Sequence, residues 1–254
     1  MDGSGATVQT AVVLAAGRGT RLGSLTASVP KPLLKVAGRP CIAWILGDLA
    51  SAGIRRAVVV VGYRAEMLEE YLAANLPPGV SAICVRQEIP NGTGSAVRLA
   101  QPHVLDAPFL ITFGDILIHP TSYANAVRVF TQSGCDLLMA VNWVDDPCAG
   151  AAIYMDADGW VTQVVEKPAP GTSSTHWNHA GLVVAKPVLF DYLERLSPSA
   201  RGEYELTAAY GPMVQDGLRL MGMPVCGYWG DVGTPADLDR MSAILRAERP
   251  EESR

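Results

Sequence analysis

Apolar positions in this chain fall into short unbroken blocks. Residues 11–15 (AVVLA), 57–61 (AVVVV) and 107–113 (APFLITF) stay apolar through both strand faces, as strands buried on two sides in a parallel sheet do. Residues 81–85 and 136–141 are also expected to be strands. Between the blocks the spacing turns helical: Ile42, Ile45, Leu46 and Leu49 mark a helix over 41–52 that Gly53 closes. Further helices are expected over 65–73, 123–132 and 189–196. Strands alternating with helices predict an α/β, doubly wound, mostly parallel sheet with ligands at the carboxyl ends of its strands. In the second half, residues 150–154 and 156–161 form a hairpin around Asp158-Gly159, an apolar strand follows Gly181, and a late strand is expected over 222–228. The Ile-Leu-Ile of 116–118 receives no element, although an exposed apolar face over 116–123 would suggest a homodimer.

With 254 residues, 49% hydrophobic and 18% charged, the chain can bury one sizeable α/β core. A net charge of −5 argues against nucleic-acid and anionic-membrane partners, so any phosphate site is local. No apolar run is long enough to span a bilayer, and the start MDGSGATVQT lacks the basic and apolar parts of a signal peptide. The expectation is a cytoplasmic protein. Five widely spaced cysteines without a C-x-x-C pair read as reduced, mostly buried thiols. Residues 1–9 and the charged stretch 248–254 read as flexible ends of a single domain over 10–247.

Candidate chemistry begins where the first strand runs into Ala16-Gly17-Arg18-Gly19-Thr20-Arg21. Glycines there permit a sharp turn whose N–H groups face phosphate oxygens, Arg21 adds charge, and Pro30 and Pro32 hold Lys31 in place. This set suits a triphosphate. A dinucleotide loop would need a glycine where Leu22 stands, and the Gly-Lys-Ser/Thr of a Walker loop is absent. After the third strand, the Gln87 amide can donate and accept at once, as the edge of a nucleobase requires, and Gly92 permits close backbone approach. Taken alone, Asn91-Gly92-Thr93-Gly94 is a turn before a helix. Asp115 offers an oxygen donor at a strand end, and Glu166-Lys167 pairs an acceptor for vicinal hydroxyls with a cation for phosphate. A surface Glu-Lys pair is otherwise commonplace. His176 and His179 have no cysteine or acidic partner nearby to complete a metal site, and the string 156–159 lacks the remaining ligands of a calcium loop.

LAAGRGTRL followed by PKPLLKVAGRP resembles the N-terminal signature of the sugar-1-phosphate nucleotidylyltransferases. The Gln87–Gly92-Thr93 segment, Gly114-Asp115, Glu166-Lys167-Pro168 and Trp229-Gly230-Asp231-Val232-Gly233-Thr234-Pro235 follow in that family's order. The resemblance implies a Rossmann-like nucleotide-diphospho-sugar transferase fold with a small β-rich acceptor-binding subregion, in a short form without a C-terminal β-helix. It implies condensation of an NTP with a sugar 1-phosphate to an NDP-sugar and pyrophosphate. Catalysis would fall to Arg21, Lys31, Asp115, Lys167 and Asp231, with Mg²⁺ on Asp115 and Asp231. Leu14, Ala15, Ala16, Gly17, Gly19, Thr20, Gln87, Gly92 and Thr93 would bind the nucleotide. Gly150, Glu166, Lys167, Asn178, His179 and Gly181 would bind the acceptor. Relatives carry asparagine two residues before the glycine that is Gly181 here; His179 holds that place and Asn178 precedes it, so either residue faces the acceptor. The base stays open, as do a non-hexose acceptor such as a heptose, cyclitol or phosphocholine-like phosphate, and a non-catalytic nucleotide-sensing subunit.

Overall fold

The computed structural model describes residues 7–104 and 106–252. The flexible ends expected from sequence lie outside the described residues at 1–6 and at 253–254. The elements in chain order are β1 (Thr10–Ala15), β2 (Lys35–Val36), β3 (Arg39–Pro40), α1 (Cys41–Ser51), β4 (Arg56–Val61), α2 (Ala65–Ala74), β5 (Ser81–Arg86), α3 (Thr93–Leu99), β6 (Phe109–Phe113), β7 (Ile116–Ile118), α4 (Thr121–Ser133) and β8 (Leu137–Trp143). Then come β9 (Ala151–Met155), β10 (Val161–Glu166), β11 (Trp177–Ala185), α5 (Leu189–Glu194), α6 (Tyr210–Gln215), β12 (Leu220–Pro224), β13 (Trp229–Asp231) and α7 (Pro235–Glu248).

Among the described residues the main sheet has nine strands and two halves of different character. In the first, β5, β4, β1 and β6 lie side by side, all parallel, with Ala15 opposite Val61 and Leu14 opposite Phe113. Side chains leave β1 alternately into two cores: Ala11, Val13 and Ala15 into one, Val12 and Leu14 into the other. That two-sided burial is why the strand reads as an unbroken apolar run. In the second half β11 is the hub, antiparallel to β6, β8 and β9, with β10 beyond β9 and β12 parallel to β8. The chain order crosses from β5 back to β6 on the other side of β1, which places a switch point at the carboxyl ends of β1 and β6.

Three sequence expectations change here. The 116–118 run is β7, paired antiparallel with β13 in a two-stranded ribbon off the main sheet. Ile116, Leu117, Ile118 and Tyr123 are all buried within the chain, so this stretch is no exposed face for a second copy. The late strand expected over 222–228 instead begins and ends earlier, as β12. β12 ends at Pro224, and Gly227, at φ 66°, turns the chain against the His119 ring, 2.7 Å from where a Cβ would stand. Finally, the charged tail is tied down: Arg249 bonds Asp48 of α1 at 2.7 Å and Glu252 at 2.8 Å. Of the cysteines, Cys41 and Cys135 are buried, Cys226 is exposed, and none is bonded to another. Among the described residues no helix is long and apolar enough to cross a membrane.

Candidate functional site

Two close backbone approaches gather the strand ends. Gly114 donates its N–H to the Leu14 carbonyl at 2.8 Å, and Tyr63, next to Gly62, donates to the Ala16 carbonyl at 3.1 Å. A Cβ on Gly114 would stand 2.9 Å from Leu14 O, and one on Gly62 2.8 Å from Ala16 O, so both positions need glycine. The glycine loop then folds over Lys31. Gly19 is left-handed at φ 66°, its carbonyl accepts from Thr26 Oγ1 at 3.0 Å, and a Cβ there would stand 3.2 Å from the Lys31 stem. Gly17 has no positive φ, and a Cβ there would meet nothing within 4 Å, so its side of the loop stands open.

Lys31, held in a short 3-10 turn by Leu34 N donating to its carbonyl at 3.0 Å, is 6% exposed. Its ammonium donates to Asp115 Oδ2 at 2.6 Å and to Asp231 Oδ1 at 3.0 Å. Burial disfavours that ammonium, but the two carboxylates outweigh it and hold the Lys31 pKa above its ordinary value. Arg21, largely exposed, reaches Asp231 Oδ2 at 3.4 Å. Asp115 follows β6 after Gly114, and the β7–β13 ribbon delivers Asp231 beside it, with Val232 N donating to Asp115 O at 2.9 Å.

A cavity of about 460 Å³ opens from this cluster toward the β-rich half. Glu166 ends β10 on its far wall, and Lys167 follows at φ 42°, a left-handed conformation that costs a non-glycine residue about 1 kcal/mol. Lys167 N donates to Gly150 O at 2.8 Å, and its Nζ stands 3.8 Å from Glu166 Oε1. Asn178 and His179 line the same cavity. The Asn178 amide donates to Asn142 Oδ1 at 2.9 Å, and Gly150 lies so close to its Oδ1 that a Cβ has no space. His179 Nδ1 accepts from Gly181 N at 3.2 Å, which assigns the ring proton to Nε2, a buried atom without a protein partner. Burial pushes the His179 pKa down to about 4.

Residues 10–248 match the family model described as Nucleotidyl transferase. The chain belongs to that family. The bifunctional protein GlmU of Methanococcus maripaludis (strain C5) is 33% identical over 233 residues, which cover 90% of this chain and 52% of that protein. The chain thus spans about half the length of this and other curated relatives it matches. The UTP–glucose-1-phosphate uridylyltransferase AglF of Haloferax volcanii is 30% identical over 241 residues, covering 94% of this chain and 97% of that one. A crystal structure of a UDP-glucose pyrophosphorylase with UDP-glucose superposes with a TM-score of 0.88 at 21% identity, over 96% of this chain and all of the other, a likeness of fold.

In this family member most of the residues singled out from sequence sort into two groups. Arg21, Thr93, Asp115, Gly150, Glu166, Lys167, Asn178, His179 and Asp231 share the cavity wall. Leu14, Ala15, Ala16, Gly17, Gly19 and Thr20 lie at the end of β1 and in the loop after it, while Gln87 and Gly92 sit beyond β5. Gln87 uses its amide donor inside its own loop, on Gly92 O at 3.0 Å. Gly92, at φ 116°, faces the Tyr204 backbone, 2.5 Å from where a Cβ would be, so chain packing alone requires glycine there. The Thr93 hydroxyl accepts from Leu206 N at 3.0 Å. Sequence reading gave no site role to Phe113, Asp146, Trp229 and Thr207, which also line the cavity. Two of these had a signal: Trp229 opens the string that carries Asp231, and Thr207 closes the Glu-Tyr-x-Leu-Thr string at 203–207. Asp115 and Asp231 give hard oxygen donors, and no third His, Cys, Asp or Glu joins them among the described residues. Such a pair fits Mg²⁺, which keeps waters and substrate phosphates as its remaining ligands.

Proposed function

We propose that the chain transfers a nucleotidyl group from an NTP to a sugar 1-phosphate, releasing pyrophosphate. The observation that carries this reading is the convergence of Lys31, Asp115 and Asp231 at the sheet's switch point, facing Glu166-Lys167 across one cavity. The glycine loop and Arg21 would receive the β- and γ-phosphates at the open rim. Lys31 would neutralise charge gathering at the α-phosphate, Lys167 would hold the acceptor phosphate, and Glu166 would accept from its hydroxyls.

An acceptor phosphate oxygen forms the new bond to the α-phosphorus while the α–β bridging P–O bond breaks and pyrophosphate leaves in line. No proton has to move, because the phosphate monoester is already a nucleophile, so alignment and charge neutralisation do the catalysis. Mg²⁺ held by Asp115 and Asp231 would supply further neutralisation of the phosphates brought together there. Lys31 already lies on both carboxylates, which supports a site whose charges are arranged before substrate arrives.

The near-full-length AglF relative names the first pair to try, UTP with glucose 1-phosphate. Pyrophosphate release is measured with Mg²⁺ across the common NTPs and dTTP against glucose, N-acetylglucosamine, mannose, heptose and cyclitol phosphates. Turnover with one pair is expected. Asp115→Asn and Asp231→Asn should each lower kcat by about 100-fold or more while NTP affinity changes by less than about tenfold. Wild-type turnover in either variant would remove the assigned role of these carboxylates.

A further inference from the structure

Glu166 needs an orienting group, because its contact with Lys167 is loose. Lys167 Nζ lies 3.8 Å from Oε1 and its side chain is 37% exposed, a geometry that constrains a carboxylate weakly. The other oxygen is held differently. Thr207 Oγ1 donates to Glu166 Oε2 at 2.5 Å, a short charge-assisted hydrogen bond from a β-branched side chain with few rotamers.

Thr207 is itself fixed from the nucleotide half. It lies in the 3-10 turn Leu206–Ala209, just after a stretch bonded to the 91–94 loop at three points. Tyr204 N donates to Asn91 O at 2.7 Å, Gly94 N donates to Tyr204 O at 2.7 Å, and Leu206 N donates to Thr93 Oγ1 at 3.0 Å. The missing Cβ of Gly92 is what lets the two backbones lie this close. We propose that Thr207 is the positioning residue for Glu166: its hydroxyl occupies one carboxylate oxygen and turns the other toward the acceptor. This rests on Glu166 as a reader of acceptor hydroxyls. The 203–207 segment, joined to the loop that follows Gln87, therefore registers the acceptor wall against the nucleotide side.

Thr207→Val keeps the branched shape and removes the donor, and Thr207→Ser restores the donor. Both are compared with Glu166→Gln in steady-state pyrophosphate release, using UTP and glucose 1-phosphate as the probe pair, with circular dichroism to verify folding. Thr207→Val should raise the acceptor KM about 10- to 100-fold while the UTP KM stays within about twofold, as loss of one hydrogen bond to a charged group predicts. Thr207→Ser should recover to within about threefold of wild type, and Thr207→Val should add little on top of Glu166→Gln because the two act as a unit. An unchanged acceptor KM in Thr207→Val beside an impaired Glu166→Gln would overturn the positioning role and leave Glu166 as reader. An unchanged acceptor KM in Glu166→Gln would overturn both. A serine variant as poor as valine would also count against positioning, since the hydroxyl would then be irrelevant.

Discussion

Among single side chains, Lys31 makes the sharpest demand. Its ammonium sits on two carboxylates that would otherwise face each other, and it competes with any divalent cation for the same oxygens. Lys31→Met should lower stability in EDTA by about 2 kcal/mol, less than for a fully buried pair because both aspartates keep a third of their side-chain surface. Mg²⁺ should then raise the Tm of the variant more than that of wild type; an equal shift would mean that lysine and cation do not share these oxygens. His179 makes a different prediction. Its pKa falls from 6.5 unfolded to about 4 folded, so its contribution is full above pH 6.5 and is lost as pH falls through about 4. The difference is about 3 kcal/mol. His179→Gln should flatten the acid limb of the Tm–pH curve in that window, and an unchanged limb would show that the buried ring is not what titrates. Lys31, Asp115, Asp231, Glu166 and Lys167 were legible because each sits in a short local motif. The partner of Glu166 was not, since Thr207 is 41 positions away and only the fold brings it near.

Between elements, the decisive contacts are backbone against backbone. The 91–94 loop and the segment around Tyr204 pair like two short strands, and Gly92 is the point of closest approach. Gly92→Ala combines a left-handed φ with a Cβ that has nowhere to go, which should cost about 2–4 kcal/mol. Denaturant unfolding should show that loss, and the KM values of NTP and acceptor should both rise because one contact serves both walls. A purely nucleotide-side effect would separate the two walls again. The buried strands of the parallel half were readable because both of their faces are apolar, a property each strand carries in its own residues. The β7–β13 ribbon was not readable: a three-residue strand becomes one only when its distant partner lies beside it. The expected 222–228 strand failed for a local reason, since Pro224 ends the ladder and Gly227 turns the chain.

Across the whole molecule, the stretch after α7 closes onto α1. Arg249, just past α7, pairs with the 3%-exposed Asp48 of α1 and packs its guanidinium 4.7 Å from the Trp44 ring centroid. Charged composition alone made this stretch look solvated, because sequence cannot show that a buried carboxylate awaits it. Arg249→Met should cost about 3 kcal/mol by leaving Asp48 buried without this cation, measurable as a lower denaturation midpoint, and a change under about 0.5 kcal/mol would mean the closure is incidental. The same long reach governs the carboxylate pair. Lys31 meets Asp115 across 84 positions and Asp231 across 200. During synthesis Lys31 and Asp115 are both made while β13, which carries Asp231, is still to come. Until then the chain has only one of the two carboxylates that Lys31 bridges. The charged cluster on which the proposed chemistry depends is therefore assembled only once β13 has been made.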